Sequence, residues 1–106
     1  MAVNQDFWNY INDQLSSLTH ISSKKMFGGV GYFHEDKMFG MIQSNGIFRL
    51  KVDDRNRAIF EKYGSGPLTS AKKKGSMPYY EVPIEIVENQ EELLNWVRTS
   101  IEIAHS

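Results

Sequence analysis

The sequence predicts an α+β fold, in which helices pack on one face of a mostly antiparallel sheet. Segments with a helical spacing of apolar residues stand near both ends of the chain, and short alternating segments bounded by turn residues lie between them. Because an amphipathic helix must bury its apolar stripe, two layers are the expected packing. The predicted order is α-β(3)-α-β(2)-α, in a single domain spanning residues 1–106.

A helix is predicted near the N-terminus, because apolar side chains recur there at the spacing of one helical face. Those side chains are Phe7, Trp8, Ile11, Leu15 and Leu18. Either Asn4 or Asp6 is expected to cap this helix, since a short polar side chain accepts hydrogen bonds from the free N–H groups of a first turn.

Three strands are predicted to follow. They span residues 25–33, 38–43 and 47–52. A polar connection at residues 34–37 separates the first two, and Asn45-Gly46 favours a hairpin turn because both residues tolerate a positive φ. The third strand alternates apolar and charged residues, which indicates one buried face and one wetter face.

The second half of the chain is predicted to contain a helix, a hairpin and a final helix. The segments are a helix at 54–63, strands at 68–71 and 76–82, and a helix after residue 89. Gly64 is the expected stop of the first of these helices. Asn89 with Glu92 three residues later resembles a capping box. The apolar face of the last helix consists of Leu93, Leu94, Val97, Ile101 and Ala104.

The composition excludes several classes of protein. The chain has 106 residues, a net charge of −1 and no cysteine, which excludes disulfides and thiolate metal sites. No apolar run approaches the roughly 20 residues that span a membrane, and residues 1–6 lack the features of a signal peptide. We therefore expect a soluble cytoplasmic protein without membrane association, and the near-neutral charge makes strong non-specific DNA binding a weak expectation.

No catalytic or metal-binding motif is evident in the sequence. The histidines, His20, His34 and His105, stand at a helix end, in a turn and at the C-terminus, without the spacing of a zinc site. No G-x-S-x-G segment is present, and no nucleophile, base and oxyanion site can be assembled. We therefore expect no enzymatic activity, no cofactor and no bound metal.

Three glycines, Gly28, Gly29 and Gly31, interrupt the first predicted strand, where glycine usually marks a bulge or the close approach of another backbone. Their spacing matches no phosphate-binding motif. The main interpretation is a packing device within the sheet. The other is a ligand-binding or partner-binding surface that contains Met26, Phe27, Gly28 and Gly29.

Two further segments carry candidate binding residues. Tyr79 and Tyr80 are strand neighbours, so their rings should point to opposite faces, one into the core and the other exposed as an anchor for a partner. Lys72, Lys73 and Lys74 lie at the predicted hairpin tip, either as a solvated turn or as phosphate contacts to nucleic acid. Candidates to extend that basic surface are Lys24, Lys25, Arg49 and Lys51.

Motifs along nearly the whole chain carry a family resemblance. They are Met26-Phe27-Gly28-Gly29-Val30-Gly31, Met38-Phe39-Gly40, the strand at 47–53, Phe60 with Gly64, Tyr79-Tyr80-Glu81-Val82-Pro83, and Glu92-Leu93-Leu94 with Trp96. In this order and at these spacings the chain resembles the N-terminal domain of the TfoX/Sxy family of bacterial competence regulators, as a single-domain member. The sequence departs from the family pattern at Glu35-Asp36, where a glycine is common, and at Pro78, where a serine is common.

The resemblance implies the same α-β(3)-α-β(2)-α order and a role in the positive regulation of competence genes, acting with the cyclic-AMP receptor protein at promoters. The main hypothesis is therefore a protein-binding transcriptional co-regulator whose partner is the cyclic-AMP receptor protein or RNA polymerase. One alternative is direct nucleic-acid binding through the basic hairpin at 72–75. A second is a small-molecule sensor with a pocket between the glycine-rich strand and the last helix. A homodimer is also open, since sheet edges must be covered or charged.

Overall fold

The fold consists of an antiparallel sheet with helices packed against it. The computed structural model describes residues 4–26, 28–69 and 76–106. Its helices are α1 (Gln5–Gln14), α2 (Arg57–Lys62), α3 (Ile84–Val87) and α4 (Gln90–Ala104). Its strands are β1 (Ile21–Met26), β2 (Gly29–His34), β3 (Lys37–Ile42), β4 (Phe48–Lys51), β5 (Pro67–Thr69) and β6 (Ser76–Glu81). Within these ranges the strands form one antiparallel sheet in the order β1-β2-β3-β4-β6-β5, and the predicted α+β class is confirmed.

The single strand predicted at residues 25–33 is wrong, because this segment contains a hairpin. β1 ends at Met26, which pairs with Gly29 at the start of β2. Gly28 lies between them with a φ of 80°, a conformation that glycine adopts without steric cost. The described part of the sheet therefore has six strands, one more than the sequence predicts.

Polar caps set the starts of the two long helices. The side chain of Asn4 accepts hydrogen bonds from the backbone N–H groups of Asp6 and Phe7 at the start of α1. Asn89 accepts from the N–H of Glu92 at the start of α4. Both predicted caps are confirmed, and of the two candidates at the N-terminus the structure selects Asn4.

Two elements differ in extent from the prediction. The helix predicted at 54–63 is shorter, because residues 54–56 form a turn that is closed by hydrogen bonds from the N–H groups of Asn56 and Arg57 to the carbonyl of Asp53. A single helical turn, α3, follows Pro83 and is absent from the prediction. Pro83 accepts there from the N–H of Val87 at 3.0 Å, as a residue at the start of a helical turn does.

The helices pack on one face of the sheet, and the core lies between the two layers. Its buried side chains include Ile11, Leu15, Val30, Tyr32, Phe39, Ile42, Phe48, Leu50, Tyr80, Leu93 and Val97. Phe60 joins three elements, since its ring centroid lies 4.6 Å from that of Trp96 and 5.8 Å from that of Tyr80. Burial of each large side chain contributes roughly 1.5–3 kcal/mol to the free energy of unfolding.

Hydrogen bonds across the two layers fix how the helices sit on the sheet. The hydroxyl of Ser100 on α4 donates to the carbonyl of Lys51 on β4 at 2.8 Å. The hydroxyl of Tyr32 on β2 donates to Oδ1 of Asn12 on α1 at 2.7 Å. Because each bond satisfies a polar group of a buried residue, both resist sliding of a helix along the sheet.

Candidate protein-binding face

The sheet has a second face, opposite the helices, which we call the open face. It includes the alternate strand residues Lys24, Met26, Gly31, Phe33, Met38, Met41, Arg49, Lys51, Tyr79 and Glu81. One row across β1 to β4 consists of Lys24, Gly31, Met41 and Arg49. Residues paired in a row point to the same side of a sheet, so these four share the face. Interleaved residues such as Tyr32 and Leu50 belong instead to the core.

Methionine and phenylalanine side chains form the centre of the open face. Met26, Phe33, Met38 and Met41 are all partly exposed to solvent. A Cβ atom placed on Gly31 would lie 2.4 Å from Sδ of Met26 and 3.1 Å from Cε1 of Phe33. These two side chains therefore lie over the glycine, which forms the floor of the apolar patch.

A bulge in β3 keeps two methionines on this face. The register between β2 and β3 shifts, since Tyr32 pairs with Gly40 whereas the next residue, Phe33, pairs with Met38. The extra residue, Phe39, is fully buried, with its ring 6.2 Å from that of Tyr32. Met38 and Met41 are three residues apart and would alternate in a regular strand, but the bulge places both on the open face.

Cationic side chains flank the apolar patch and are held in different ways. Nζ of Lys24 lies 5.6 Å from the ring centroid of Phe33, within cation–π range. Arg49 donates from Nε to Oε1 of Gln43 at 2.7 Å and from Nη1 to the carbonyl of Tyr79 at 3.1 Å. Burial lowers the pKa of the Arg49 guanidinium, although the charge of Glu81 acts in the opposite direction. The guanidinium of Arg49 therefore links β4 to the residue that follows β3 and to β6.

A protein-family model matches most of the chain. The sequence model of the TfoX N-terminal domain matches residues 13–104, a range that contains every strand and helix α4. The chain belongs to the TfoX N-terminal domain family. The resemblance drawn from the motifs is thereby confirmed. A comparison with curated proteins gives no match to the chain.

The glycine-rich motif of this TfoX N-terminal domain serves the hairpin and the packing of the sheet. Gly28 occupies the exposed turn, and Gly29 is buried. A Cβ atom on Gly29 would lie 2.2 Å from the carbonyl oxygen of Ile42, so a side chain there would collide with the backbone of β3. Met26 reaches the open face, whereas Phe27 lies outside the described residues.

The tyrosine pair does not supply the exposed anchor that the sequence predicts. Tyr79 and Tyr80 are 8% and 7% exposed, so the expectation of one exposed ring is wrong. Tyr80 lies in the core beside Phe60, whereas Tyr79 pairs with Lys51 and stands outside the core cluster. Burial raises the pKa of the Tyr79 hydroxyl. Neither ring offers a large surface to a partner.

The predicted basic surface is only partly assembled in the described residues. Lys24, Arg49 and Lys51 lie on the open face, but Lys25 lies on the helix side, with Nζ 5.8 Å from the ring of Trp8. The candidate nucleic-acid residues Lys72, Lys73 and Lys74 fall in 70–75, outside the described residues, and remain a prediction.

A cleft of about 250 Å³ lies between α2 and α4, a different place from the pocket that the small-molecule hypothesis predicts. Phe60 and Trp96 form its inner wall, and Asn56 and Thr99 line it. Nε1 of Trp96 is buried without a hydrogen-bond partner among the described residues. None of the helices in the described ranges is long and apolar enough to cross a membrane.

One cluster of side chains was not predicted from the sequence. Three histidines meet at one end of the sheet: His20 just before β1, His34 at the end of β2 and His105 at the C-cap of α4. The ring centroid of His34 lies 6.1 Å from that of His20 and 5.0 Å from that of His105. A search for residues spaced along one helix cannot detect such a site, but the pairing of β1 with β2 brings residue 20 next to residue 34.

Proposed function

We propose that this domain is a non-enzymatic regulator that binds a protein partner through the open face and acts as a transcriptional co-regulator. The observation that supports this proposal is the apolar patch of Met26, Phe33, Met38 and Met41 on the sheet face opposite the core. Met side chains are flexible and polarizable, so they adapt to the shape of a partner. An apolar centre with a charged rim is also the usual anatomy of a protein interface.

Membership of the TfoX N-terminal domain family supports a role in regulation related to competence. We propose the cyclic-AMP receptor protein as the partner, with RNA polymerase as the alternative, because the family resemblance implies action at promoters. The basic side chains Lys24, Arg49 and Lys51 outnumber the one carboxylate that the described part of this face contains, Glu81, and so favour a partner surface with acidic residues around an apolar centre.

The experiment compares two lysine substitutions of apolar residues. Met41→Lys adds a charge in the middle of the open face, between Gly31 and Arg49. Ile84→Lys is the matched control, because Ile84 is 64% exposed and lies on α3, away from that face. Binding to the purified cyclic-AMP receptor protein with cyclic AMP, and separately to RNA polymerase, is measured by biolayer interferometry.

We expect Met41→Lys to weaken binding about tenfold or more and Ile84→Lys to leave it within about twofold, since central residues dominate binding energy. Circular dichroism and a urea midpoint establish that both variants are folded. Equal binding by Met41→Lys and the wild type would refute the open face as the interface. Binding to neither purified protein would refute the proposed partners, and light scattering then tests whether a second copy covers the face.

Nucleic acid is a second candidate, favoured by the stacking of Lys24 on Phe33 and by Lys51, which lies on the same face two strands away from Phe33. Replacing Lys72, Lys73 and Lys74 by alanine should weaken binding to all duplex sequences equally. It should also flatten the dependence of log K on log salt by about 0.9 for each phosphate that the protein no longer neutralises. A duplex that is not bound even at low salt would exclude this function.

A further inference from the structure

The histidine cluster brings together nitrogen and oxygen donors from two segments that are distant in the sequence. Nδ1 of His34, at the end of β2, lies 2.9 Å from Nε2 of His105, at the C-terminal end of α4. The carboxylate of Glu35 lies 3.8 Å from the same Nδ1 atom. One ligand atom from each of these three residues lies within 4.8 Å of the other two.

These separations fit the first coordination shell of a transition-metal ion. With Zn–N distances of about 2.0–2.1 Å, two ligands of a tetrahedral zinc ion stand roughly 3.4 Å apart. The two imidazole nitrogens need to separate by only about half an ångström, which a small rotation of an exposed side chain provides. Two imidazoles and a carboxylate are a common set of protein ligands for zinc, and they leave a fourth position for water.

The surrounding backbone also favours a cation at this position. His105 is the C-cap of α4, where the carbonyl end of a 15-residue helix carries partial negative charge, and the last turn of α4 contains no basic side chain. Glu35 is held in the left-handed region with a φ of 49°, in the turn between β2 and β3. The backbone N–H of Glu35 donates to the carbonyl of His20 at 3.3 Å, which ties this turn to the start of β1.

We propose that His34, Glu35 and His105 form a binding site for a divalent transition-metal ion, with Zn²⁺ as the representative ligand. This site is separate from the open face and independent of the proposed function. Imidazole nitrogen selects zinc, nickel and copper over magnesium and calcium, which require a shell of oxygen ligands. His20 is not one of the three mutually close donors, although its ring lies beside His34.

Metal binding must replace the hydrogen bonds that these rings make. Nε2 of His105 lies 2.9 Å from Nδ1 of His34 and 3.2 Å from the backbone carbonyl oxygen of His34, so one of the two ring nitrogens carries the shared hydrogen in the metal-free protein. The ion needs a lone pair on each nitrogen, and that hydrogen should therefore move to the other nitrogen of its own ring, as a neutral imidazole permits.

The experiment is isothermal titration of Zn²⁺ into the full chain at pH 7.5, after removal of any purification tag. We expect one bound ion per chain. His105→Gln should weaken the affinity about tenfold or more, because even changes to groups outside the coordination shell cost 10–100-fold. His34→Gln should have a comparable effect, and Mg²⁺ should not bind.

His20→Gln is the matched control, since it removes a histidine of the same cluster that is not a proposed ligand, and its Zn²⁺ affinity should stay within about twofold of the wild type. His105 is exposed at a helix end, so its replacement should leave the melting temperature of the metal-free protein unchanged. Absence of Zn²⁺ binding, or binding that survives His105→Gln, would overturn the proposal and leave the two rings as a hydrogen-bonded contact. A Co²⁺ complex that lacks the strong visible absorption of tetrahedral nitrogen and oxygen ligation would overturn the proposed geometry.

Discussion

The same substitution at two glycines of β2 should have different effects on the stability of the fold. Gly29→Ala and Gly31→Ala add one methyl group two residues apart. At Gly29 the methyl carbon would lie 2.2 Å from the carbonyl oxygen of Ile42, which is backbone. At Gly31 it would lie 2.4 Å from Sδ of Met26, near the end of a flexible side chain. We therefore expect a large loss of stability only for Gly29→Ala.

The magnitudes follow from what must move. Replacing glycine in a strand favours folding by roughly 0.5–1 kcal/mol. At Gly31 this gain is offset by about 0.5–1.5 kcal/mol for turning Met26 or Phe33 away from its rotamer, so the net change stays within about 1 kcal/mol. At Gly29 the strands β2 and β3 must separate by about 1 Å, which combines overpacking with weakened ladder hydrogen bonds and costs about 2–4 kcal/mol.

Urea denaturation and thermal melting, each followed by circular dichroism and by tryptophan fluorescence, measure the change in stability of both variants. Gly29→Ala should lower the melting temperature by roughly 10–25 °C, since about 1 kcal/mol corresponds to 4–8 °C in a domain of this size. Unchanged m-values confirm that the comparison is between equivalent transitions. If Gly31→Ala is as destabilising as Gly29→Ala, the distinction between the backbone contact and the side-chain contact is refuted. Gly31→Ala has a second use, because it alters the open face in a folded protein and should weaken partner binding.

Three further substitutions, with one control, test how the helices are capped and held on the sheet. Ser100→Ala should cost about 1 kcal/mol by urea denaturation rather than 3, because the Lys51 carbonyl keeps the hydrogen bond from Asn56; a larger loss would contradict this reasoning. Asn89→Ala should also cost about 1 kcal/mol by removing the cap of α4, whereas Asn95→Ala, on the exposed middle of the same helix, should change stability by less than about 0.5 kcal/mol. Burial raises the pKa of Tyr32 well above its ordinary value near 10, so the tyrosine ionises first in the unfolded chain as the pH rises. The stabilisation that Tyr32 gives to the folded state is therefore complete below about pH 10 and declines above it. Tyr32→Phe should therefore flatten the fall of the urea midpoint between about pH 9 and pH 11, and an unchanged slope would refute the assignment.

Sequence patterns predicted the parts of the fold in which local chemistry and global packing agree. The cap at Asn89 and the burial of Leu93 and Val97 both follow from spacing within one helix, and the structure confirms them. The rest of the predicted face is only partly buried, and Trp96, Ser100 and Ile103 complete the buried face instead. The alternation in β4 predicts its buried and wetter faces for the same reason. Gly28 shows where this reasoning fails, because an apolar segment with glycines fits either one strand with a bulge or two strands with a tight turn. Only the pairing partner of Met26 decides between them.

The bulge at Phe39 shows why the open face could not be predicted from alternation alone. In a regular strand Met38 and Met41 would face opposite sides, and the sequence signal of one extra residue is invisible until the partner strand is known. Met26 reaches the same face from β1, a strand that the sequence analysis did not separate from β2. The apolar patch is thus a product of register, and a change that removed the bulge would divide it between the two faces.

The histidine cluster depends on the same undetected hairpin. Once β1 pairs with β2, Ile21 stands opposite His34, and residue 20 must lie beside the turn that carries Glu35. The length of α4 then decides where His105 falls, since 15 residues at about 1.5 Å each carry the helix roughly 22 Å across the sheet. One helical turn more or less would move His105 by about 5.4 Å and separate it from His34. The two rings therefore meet because the register of β1 with β2 and the length of α4 place them at the same end of the sheet. A short insertion could change either one without changing His34, Glu35 or His105.

The direct test of how the site depends on the length of α4 is to move the donor, with Glu102→His in a His105→Gln background. An insertion of four alanines in the middle of α4 is less suitable, because it would disturb the core. Glu102 lies on the last turn of α4 beside the same cleft as His34. Recovery of Zn²⁺ binding by this double variant would show that the position of a donor at the end of the helix, rather than the residue number, is what the site requires. Failure of the double variant to bind, in a protein with an unchanged melting temperature, would show instead that the site needs the donor at the C-cap itself.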